Sequence, residues 1–204
     1  MASSSKIFEW SQFSTDLETP IGHGSFGSVI VAFHQRKGNP RKDLMAIKVF
    51  DARPGKSYEE LLSEAEHEVR LILEAQSRTF AYSNIVTVYG LVSGPISQST
   101  SVQALLGRSG DVVGVVMSYE EGGSLEDLLY PSSSAPSQDL SLKDKIHILA
   151  DIANGIQEIH SLGIVHKDIK PANVLISRRG GVYLCFVHIF LISFAVFSYL
   201  CVLE

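Results

Sequence analysis

The stretch that decides the fold joins two apolar runs and reads Ile164-Val165-His166-Lys167-Asp168-Ile169-Lys170-Pro171-Ala172-Asn173-Val174-Leu175-Ile176. It sets a carboxylate, a cation and an amide at positions i, i+2 and i+5, which are Asp168, Lys170 and Asn173. A carboxylate can orient a hydroxyl group, a cation can neutralise a phosphate, and an amide oxygen can ligate Mg²⁺. The spacing therefore predicts a loop for phosphoryl transfer, in which His166 is a packed, hydrogen-bonded structural residue.

The composition is that of one domain or of two small lobes. The chain has 204 residues, of which 45% are hydrophobic, so a sizeable core can form. Its formal net charge of −5 argues against a nucleic-acid partner. Both cysteines, Cys185 and Cys201, lie in the last 20 residues, which leaves the main body without a possible disulfide. Residues 1–6 have no signal-peptide core, so a cytoplasmic location is predicted.

The C-terminal segment departs from this soluble pattern. Val182 to Leu203 is a run of 22 residues without a charge, a glycine or a proline. Its length and hydropathy make it a candidate membrane span, and a protein that used it would be membrane-associated. Arg178 and Arg179 would then keep residues 1–179 in the cytoplasm. The other possibility is that the segment packs as a buried strand or helix.

Hydrophobic periodicity predicts a β-rich half followed by a helical half. Ser141 and Asp144 have the spacing of a capping box, and Gly163 is the expected C-cap of the helix that they begin. We expect strands at 21–33 (as a hairpin), 44–50, 85–91 and 112–117, helices at 57–76, 124–130 and 141–161, and a loop insertion at 93–111.

A glycine motif opens the β-rich half. Gly22-His23-Gly24-Ser25-Phe26-Gly27-Ser28-Val29 fits G-x-G-x-x-G-x-V, in which glycines let the backbone N–H groups approach a polyphosphate. An ordinary glycine-rich turn explains the motif alone equally well. A dinucleotide fold needs a helix directly at the glycines, whereas residues 29–33 continue as a strand, and G-x-x-x-x-G-K-[ST] does not occur. The pattern favours a flap over a mononucleotide.

A lysine interrupts the apolar run at 45–49. An apolar strand rarely carries a lysine such as Lys48 unless the side chain pairs or faces a cavity, although an edge lysine can point to water. Its partner is expected on the helix that follows, where Glu64, Glu66 and Glu68 are candidates. Only Glu68 shares the apolar face of that helix, which makes it the predicted partner.

Together these motifs resemble the eukaryotic protein kinase family, of serine/threonine type and with features of the tyrosine-kinase-like group. The resemblance covers about Phe8 to Ile176 and rests on motifs in the family's order: Gly22-x-Gly24-x-x-Gly27-x-Val29, Ala46-Ile47-Lys48, the helix with Glu68, a hinge at Val115 to Tyr119, and His166 to Asn173. It implies an α+β, protein-kinase-like bilobal fold, with a β-rich N-lobe that contains one helix and an incomplete helical C-lobe. The implied division is a leader (1–15), the N-lobe and hinge (16–119), a partial C-lobe (120–181) and a hydrophobic tail (182–204).

The resemblance also implies a reaction, the transfer of the ATP γ-phosphoryl group to a Ser or Thr hydroxyl of a protein substrate, with ATP and Mg²⁺ as cofactors. Asp168 would be the catalytic base, Asn173 a metal ligand and Lys170 the cation typical of the serine/threonine class. Lys48 would bind the α- and β-phosphates and pair with Glu68. The implied ATP-binding residues are Ile21, Gly22, Gly24, Gly27, Val29, Ala46, Lys48, Met117 as gatekeeper, and Ser118 and Tyr119 of the hinge.

Two departures from the family pattern bear on activity. The family's His-Arg-Asp is His166-Lys167-Asp168 here, and Lys lacks the planar fork with which Arg grips a phosphorylated activation loop. Phe186-Val187-His188 stands where Asp-Phe-Gly is expected, and neither Asp-Phe-Gly nor Ala-Pro-Glu follows in the chain. Phe cannot ligate Mg²⁺ and His is a poor ligand for a hard cation. The chain is therefore predicted to be inactive or nearly so.

The origin of the tail has two readings. One is a kinase fragment whose tail comes from a retained intron, a frameshift or a misassembled gene model, because the resemblance stops abruptly at residue 185. The other is a membrane-tethered, ATP-binding pseudokinase or scaffold.

Overall fold

The computed structural model describes residues 6–24, 27–36, 38, 41–51, 55–78, 84–131, 140–161, 164–177 and 181–184. The tail from residue 185 onwards, which holds both cysteines, lies outside these ranges, as does the expected C-cap Gly163.

The predicted strands and helices occur in the predicted order, and the structure adds elements at 7–14 and 100–106. The strands are β1 (Ile7–Glu9), β2 (Phe13–Ser14), β3 (Gly22–Gly24), β4 (Gly27–Gln35), β5 (Lys42–Phe50), β6 (Val88–Ser93), β7 (Gly114–Ser118), β8 (Val174–Ile176) and β9 (Val182–Leu184). The α-helices are α1 (Tyr58–Arg78), α2 (Thr100–Leu106), α3 (Leu125–Leu129) and α4 (Leu142–Ser161), and short 3₁₀ turns cover Trp10–Gln12, Ile96–Gln98 and Pro171–Asn173. The predicted α+β architecture, a β-rich lobe followed by an incomplete helical one, is confirmed.

One sheet organises the first lobe. In the part of the chain that the structure describes, it has seven strands in the order β1-β6-β7-β5-β4-β2, with β3 paired to β4. The pairs are antiparallel except for β1 with β6. The register sets Lys48 of β5 between Val29 of β4 and Val115 of β7. Lys48 therefore lies in a central strand, and the edge-lysine alternative is excluded.

Helix α1 packs on the inner face of this sheet. Its buried residues Leu61, Ala65, Val69 and Ile72 recur every three or four positions, so they form one stripe against the sheet. Glu68 lies on the same side of the helix and is only 8% exposed. The predicted inward position of Glu68 is thereby confirmed.

The outer face of the sheet has a core of its own. Phe8, Trp10 and Phe13 from the N-terminal segment pack there against residues of the sheet and of 93–111. Trp10 is fully buried, and its indole N–H donates to the Val112 carbonyl at 3.1 Å. Residues 6–14, which the sequence assigned to a leader, thus contribute two strands and three aromatic side chains to the first lobe.

The prediction of a loop insertion at 93–111 was wrong, because this segment contains α2. The helix ends at Gly107, whose φ of 61° provides a left-handed C-cap. Ile96 and Val102 are fully buried against the outer face of the sheet. A helix of seven residues with one fully buried apolar side chain shows too little periodicity to be recognised in the sequence.

The second lobe begins with α3 and α4. The predicted capping box of α4 is confirmed: the Asp144 N–H donates to Ser141 Oγ at 3.2 Å, and the Ser141 N–H donates to Asp144 Oδ2 at 3.1 Å. The Ser141 hydroxyl also donates to Asp144 Oδ2 at 2.6 Å, and this bond, together with the one from the Ser141 N–H, holds the pKa of the Asp144 carboxyl below its usual range. Along α4, Ile159 is buried, whereas Leu142 and Leu149 are 73% and 65% exposed. Ile148, Ile152 and Ile156 are partly buried against the same core, so the helix is covered along one side of its second half and exposed near its start.

The hairpin of β8 and β9 closes the described part of the second lobe. Val174 pairs with Leu184 in antiparallel register, and the Val182 N–H donates to the Asp151 carboxylate on α4 at 3.1 Å. The first three residues of the predicted membrane span therefore form a strand, and residues 185–203 of that span lie outside the described ranges. Among the residues described, no helix combines the length and the apolar character needed to cross a membrane.

Candidate active site

A cavity of about 550 Å³ lies between the sheet and the loop that precedes β8. Most of the residues that the family resemblance assigned to ATP line it: Ile21, Gly22, Gly27, Val29, Ala46, Lys48, Met117, Ser118 and Tyr119. Lys170 and Asn173 of the predicted catalytic loop line it as well. Of the described residues, Glu68 and Asp168 do not line the cavity, and a contribution of Gly24 stays a prediction. Residues more than 140 positions apart along the chain thus meet around one space.

The hairpin of β3 and β4 forms the upper edge of the cavity. Gly22 pairs with Val29, and the Ile21 N–H donates to the Val29 carbonyl at 2.9 Å. Gly27 has a φ of +137°, and a Cβ there would lie 2.0 Å from the Val49 carbonyl oxygen, so only glycine fits. Ser25 and Phe26, at the tip of the motif, lie outside the described residues.

The lysine and the glutamate singled out in the sequence lie on facing elements. Lys48 projects from the central strand β5 and lines the cavity. Of the three glutamates considered, Glu68 is the buried one, while Glu64 forms an ion pair with Lys56. This arrangement supports the choice of Glu68, and the Lys48–Glu68 pair itself stays a prediction.

The hinge follows β7. Met117 is 2% exposed and lies at the back of the cavity, opposite Ala46 of β5. The Ser118 N–H donates to the Thr87 carbonyl at 2.8 Å, so this group is already used within the first lobe. A nucleobase in the cavity would therefore accept hydrogen bonds from main-chain N–H groups further along the hinge, from Tyr119 onwards.

The residues of the predicted catalytic loop form one hydrogen-bonded set. Lys170 Nζ lies 2.9 Å from Asp168 Oδ2, and the Asn173 amide nitrogen donates to the same carboxylate oxygen at 3.0 Å and to the Asp168 carbonyl at 2.8 Å. His166 is 3% exposed, and its Nδ1 accepts the Asp168 N–H at 3.3 Å. Lys167 has a φ of 61°, which turns the chain sharply between His166 and Asp168. His166 thus has the packed, structural position that the sequence indicated.

The donors of this loop suit Mg²⁺ by their chemistry. Carboxylate and amide oxygens are hard ligands, and Mg²⁺ in phosphate-binding sites takes few protein ligands, with the remainder from substrate phosphates and water. Within the described ranges, no group of three or more His, Cys, Asp or Glu side chains could hold a metal. The Asn173 amide oxygen at the cavity is chemically suited to a metal that takes its other ligands from a polyphosphate and water.

Several lining residues were missed in the sequence, among them Ala172, Leu175 and Gly123. They reach the cavity because the turn after the hinge docks on β8. The Gly122 N–H donates to the Ile176 carbonyl at 2.8 Å, and a Cβ on Gly122 would lie 2.2 Å from that oxygen. The consecutive glycines Gly122 and Gly123 could have indicated this contact in the sequence, since adjacent glycines often occur where two backbone segments approach closely.

Comparisons with known proteins identify the family of the chain. The family model for the protein kinase domain matches residues 15–186. A probable serine/threonine-protein kinase of Dictyostelium discoideum is 29% identical over 182 residues, which are 88% of this chain and 11% of that protein. Mitogen-activated protein kinase kinase kinase 3 of Arabidopsis thaliana is 29% identical over 168 residues, which are 80% of this chain and 21% of that protein. The chain therefore spans only a small part of the length of these relatives.

Proposed function

The chain belongs to the protein kinase family and is a serine/threonine kinase by family, and from this premise we propose that its cavity binds ATP together with Mg²⁺. One observation carries the proposal: nine of the ten residues assigned to ATP line a single cavity with Lys170 and Asn173. Its volume of about 550 Å³ is within the range usual for ligand sites.

Each residue has a separate proposed role in phosphoryl transfer. ATP with Mg²⁺ supplies the phosphoryl group, and the protein supplies position and charge. The strand-borne Lys48 neutralises phosphate charge, with Glu68 as its partner, and Asn173 contributes an oxygen to the metal. Asp168 accepts the proton of a Ser or Thr hydroxyl on a protein substrate, while Lys170, 2.9 Å from the Asp168 carboxylate, stabilises negative charge near the transferred group.

Transfer by this chain is expected to be weak or absent, because the second metal ligand of the family is missing. Phe186-Val187-His188 follows Cys185 where that aspartate is expected. The preferred explanation is that an aberrant C-terminal segment has replaced the continuation of a kinase reading frame. Transcript reads that join the codon for Cys185 to a continuing kinase frame would support it, whereas uniform reads through Glu204 to a stop codon, with abundant protein, would refute it.

The alternative function is that of a membrane-tethered, ATP-binding pseudokinase or scaffold. It is motivated by the uncharged run from Val182 to Leu203, of which Val182–Leu184 belong to β9. A fusion protein carrying residues 185–204 should then remain with membranes after carbonate extraction. Recovery of that fusion in the soluble fraction would rule the alternative out.

The ATP site is tested by replacing its lysine. Lys48→Met is expected to weaken ATP·Mg²⁺ binding about ten- to hundredfold, because hydrogen bonds to charged groups are worth about 1.5–3 kcal/mol. Titration calorimetry on the purified 204-residue chain measures the dissociation constant. The matched control is Lys42→Met on the same strand, where the ammonium lies 5.7 Å from the centre of the Phe33 ring and away from the cavity.

Lys42→Met should bind ATP as the unmodified chain does. The proposal fails if the unmodified chain does not bind ATP, or if both lysine variants retain its affinity.

A further inference from the structure

Helix α1 is attached to strand β6 at both of its ends. Near its C-terminal end, the Gln76 side chain donates to the Val88 carbonyl at 3.0 Å and accepts the Val88 N–H at 2.8 Å. In its first turn, the Tyr58 hydroxyl accepts the Gly94 N–H at 3.0 Å. Val88 begins β6 and Gly94 follows its last residue, so the helix and the strand run antiparallel and are joined at both ends. We call these two contacts the Tyr58 and Gln76 pins.

Glu68 lies between the two pins. It is ten residues after Tyr58 and eight before Gln76, near the middle of a helix of 21 residues. Among the residues described, it is the only carboxylate that is buried. Since an α-helix is stiff over this length, fixing its two ends also fixes the distance of Glu68 from the sheet.

Strand β6 is itself held firmly, so the pins act against a rigid support. It pairs with β7 on one side and with β1 on the other, and Leu91 and Val92 are fully buried on its two faces. The segment after β6 is tied to the end of β5, the strand that carries Lys48, because Arg108 donates to the Phe50 carbonyl at 3.0 Å and forms an ion pair with Asp51. Strand β6, which supports the helix, is thus connected to β5, the strand that carries Lys48.

We infer that Tyr58 and Gln76 are positioning residues that hold α1 on β6 and thereby keep Glu68 available to Lys48. The inference rests on the proposed ATP site, and it adds two positioning residues to that site. In the family, the position of the helix that carries this glutamate is a point of control. In this chain, contacts within the first lobe hold the helix in position. This agrees with the presence of Lys167, which lacks the planar guanidinium group with which Arg binds a phosphorylated loop.

Removing a pin should lower the fraction of molecules in which α1 is correctly placed. The apparent dissociation constant rises as the inverse of that fraction, so a fall to one fifth weakens binding about fivefold. We therefore expect Tyr58→Phe and Gln76→Leu each to raise the dissociation constant for ATP·Mg²⁺ about fivefold in the 204-residue chain. The control is Ser77→Ala, which removes a 2.7 Å bond to the Glu74 carbonyl within the same helix and should leave the affinity unchanged.

A double-mutant cycle separates positioning from general stability. In a Glu68→Gln background, a pin that acts through Glu68 has nothing left to position, so adding Tyr58→Phe should change the affinity less than about twofold. A pin that only supports the fold would still weaken binding about fivefold in that background, and this result would overturn the inference. Tyr58→Phe is the decisive variant, because it removes one hydroxyl from a half-buried ring, whereas Gln76→Leu leaves two buried Val88 groups unpaired.

The outcomes distinguish the two proposals. An unmodified chain that binds no ATP would overturn the ATP site and the inference with it. A chain that binds ATP with the same affinity in the Tyr58→Phe and Gln76→Leu variants would leave the ATP site intact and overturn the inference alone.

Discussion

The purified 204-residue chain is expected to transfer phosphate to a protein substrate no faster than its Asp168→Asn variant. Asp168 is the proposed catalytic carboxylate, and its Oδ2 lies 2.9 Å from Lys170 Nζ and 3.0 Å from the Asn173 amide nitrogen. A catalytic base accelerates transfer only when the phosphoryl group is held in line by its metal ions. The residues at 186–188 offer no hard ligand for a second ion.

The expected deficit is large. Removing one electrostatic contributor from a transition state commonly costs about 10²–10³ in rate. We therefore expect transfer to be at least about a hundredfold slower than by an intact serine/threonine kinase domain under the same conditions. The measurement is incorporation of labelled phosphate into a generic protein substrate, with the intact domain as the positive control.

Comparison with Asp168→Asn makes this experiment decisive. Any label that survives in the variant comes from a contaminating kinase, so only the difference between the two samples counts. Transfer by the unmodified chain that is lost in Asp168→Asn would refute the prediction. It would show that Asn173 and the nucleotide phosphates suffice to hold the metal.

Trp10→Ala is expected to destabilise the fold by about 3–5 kcal/mol, the usual cost of removing a fully buried large aromatic side chain. Trp10 is 0% exposed and packs at 6.4 Å from the Phe13 ring, centroid to centroid. Its indole N–H also donates a hydrogen bond to the Val112 carbonyl at 3.1 Å. The substitution therefore creates a cavity and leaves a buried acceptor without this donor, and both effects act in the same direction.

Chemical denaturation followed by circular dichroism measures this change, because the variant lacks the only tryptophan that fluorescence could report. The control is Ile7→Ala in β1, whose side chain is 55% exposed and whose loss should change stability by about 0.5 kcal/mol or less. If Trp10→Ala stayed within about 1 kcal/mol of the unmodified chain, residues 6–14 would not belong to the cooperative core.

Much of the site could be predicted because its signals are local. The glycines at 22, 24 and 27, the lysine in an apolar strand and the Asp168, Lys170 and Asn173 spacing each carry their chemistry within a few residues. Glu68 was chosen among three glutamates from helical periodicity alone, and it is the buried one. Charged residues in apolar surroundings are costly, so a sequence that retains them there is informative.

The missed features depend on contacts between distant parts of the chain. Leu175 lines the cavity only because Gly122 docks on Ile176, 54 residues away. Trp10 could not be assigned to a core, since its partner Val112 is 102 residues away. The pin formed by Gln76 is equally hidden, because a glutamine near the end of an amphipathic helix looks like a solvated residue until β6 is placed beside it.

The sequence by itself determined the family, the succession of a β-rich half and a helical half, and the candidate residues proposed for phosphoryl transfer, because motif spacing and periodicity are properties of the local chain. Only the tertiary structure decided that 6–14 and 93–111 cover the outer face of the sheet, that Lys170 and Asn173 share one cavity with the glycine hairpin, and that α1 is pinned at both ends. These are consequences of burying apolar surface and pairing backbone groups between distant segments, and such partners are not specified by any short stretch of residues.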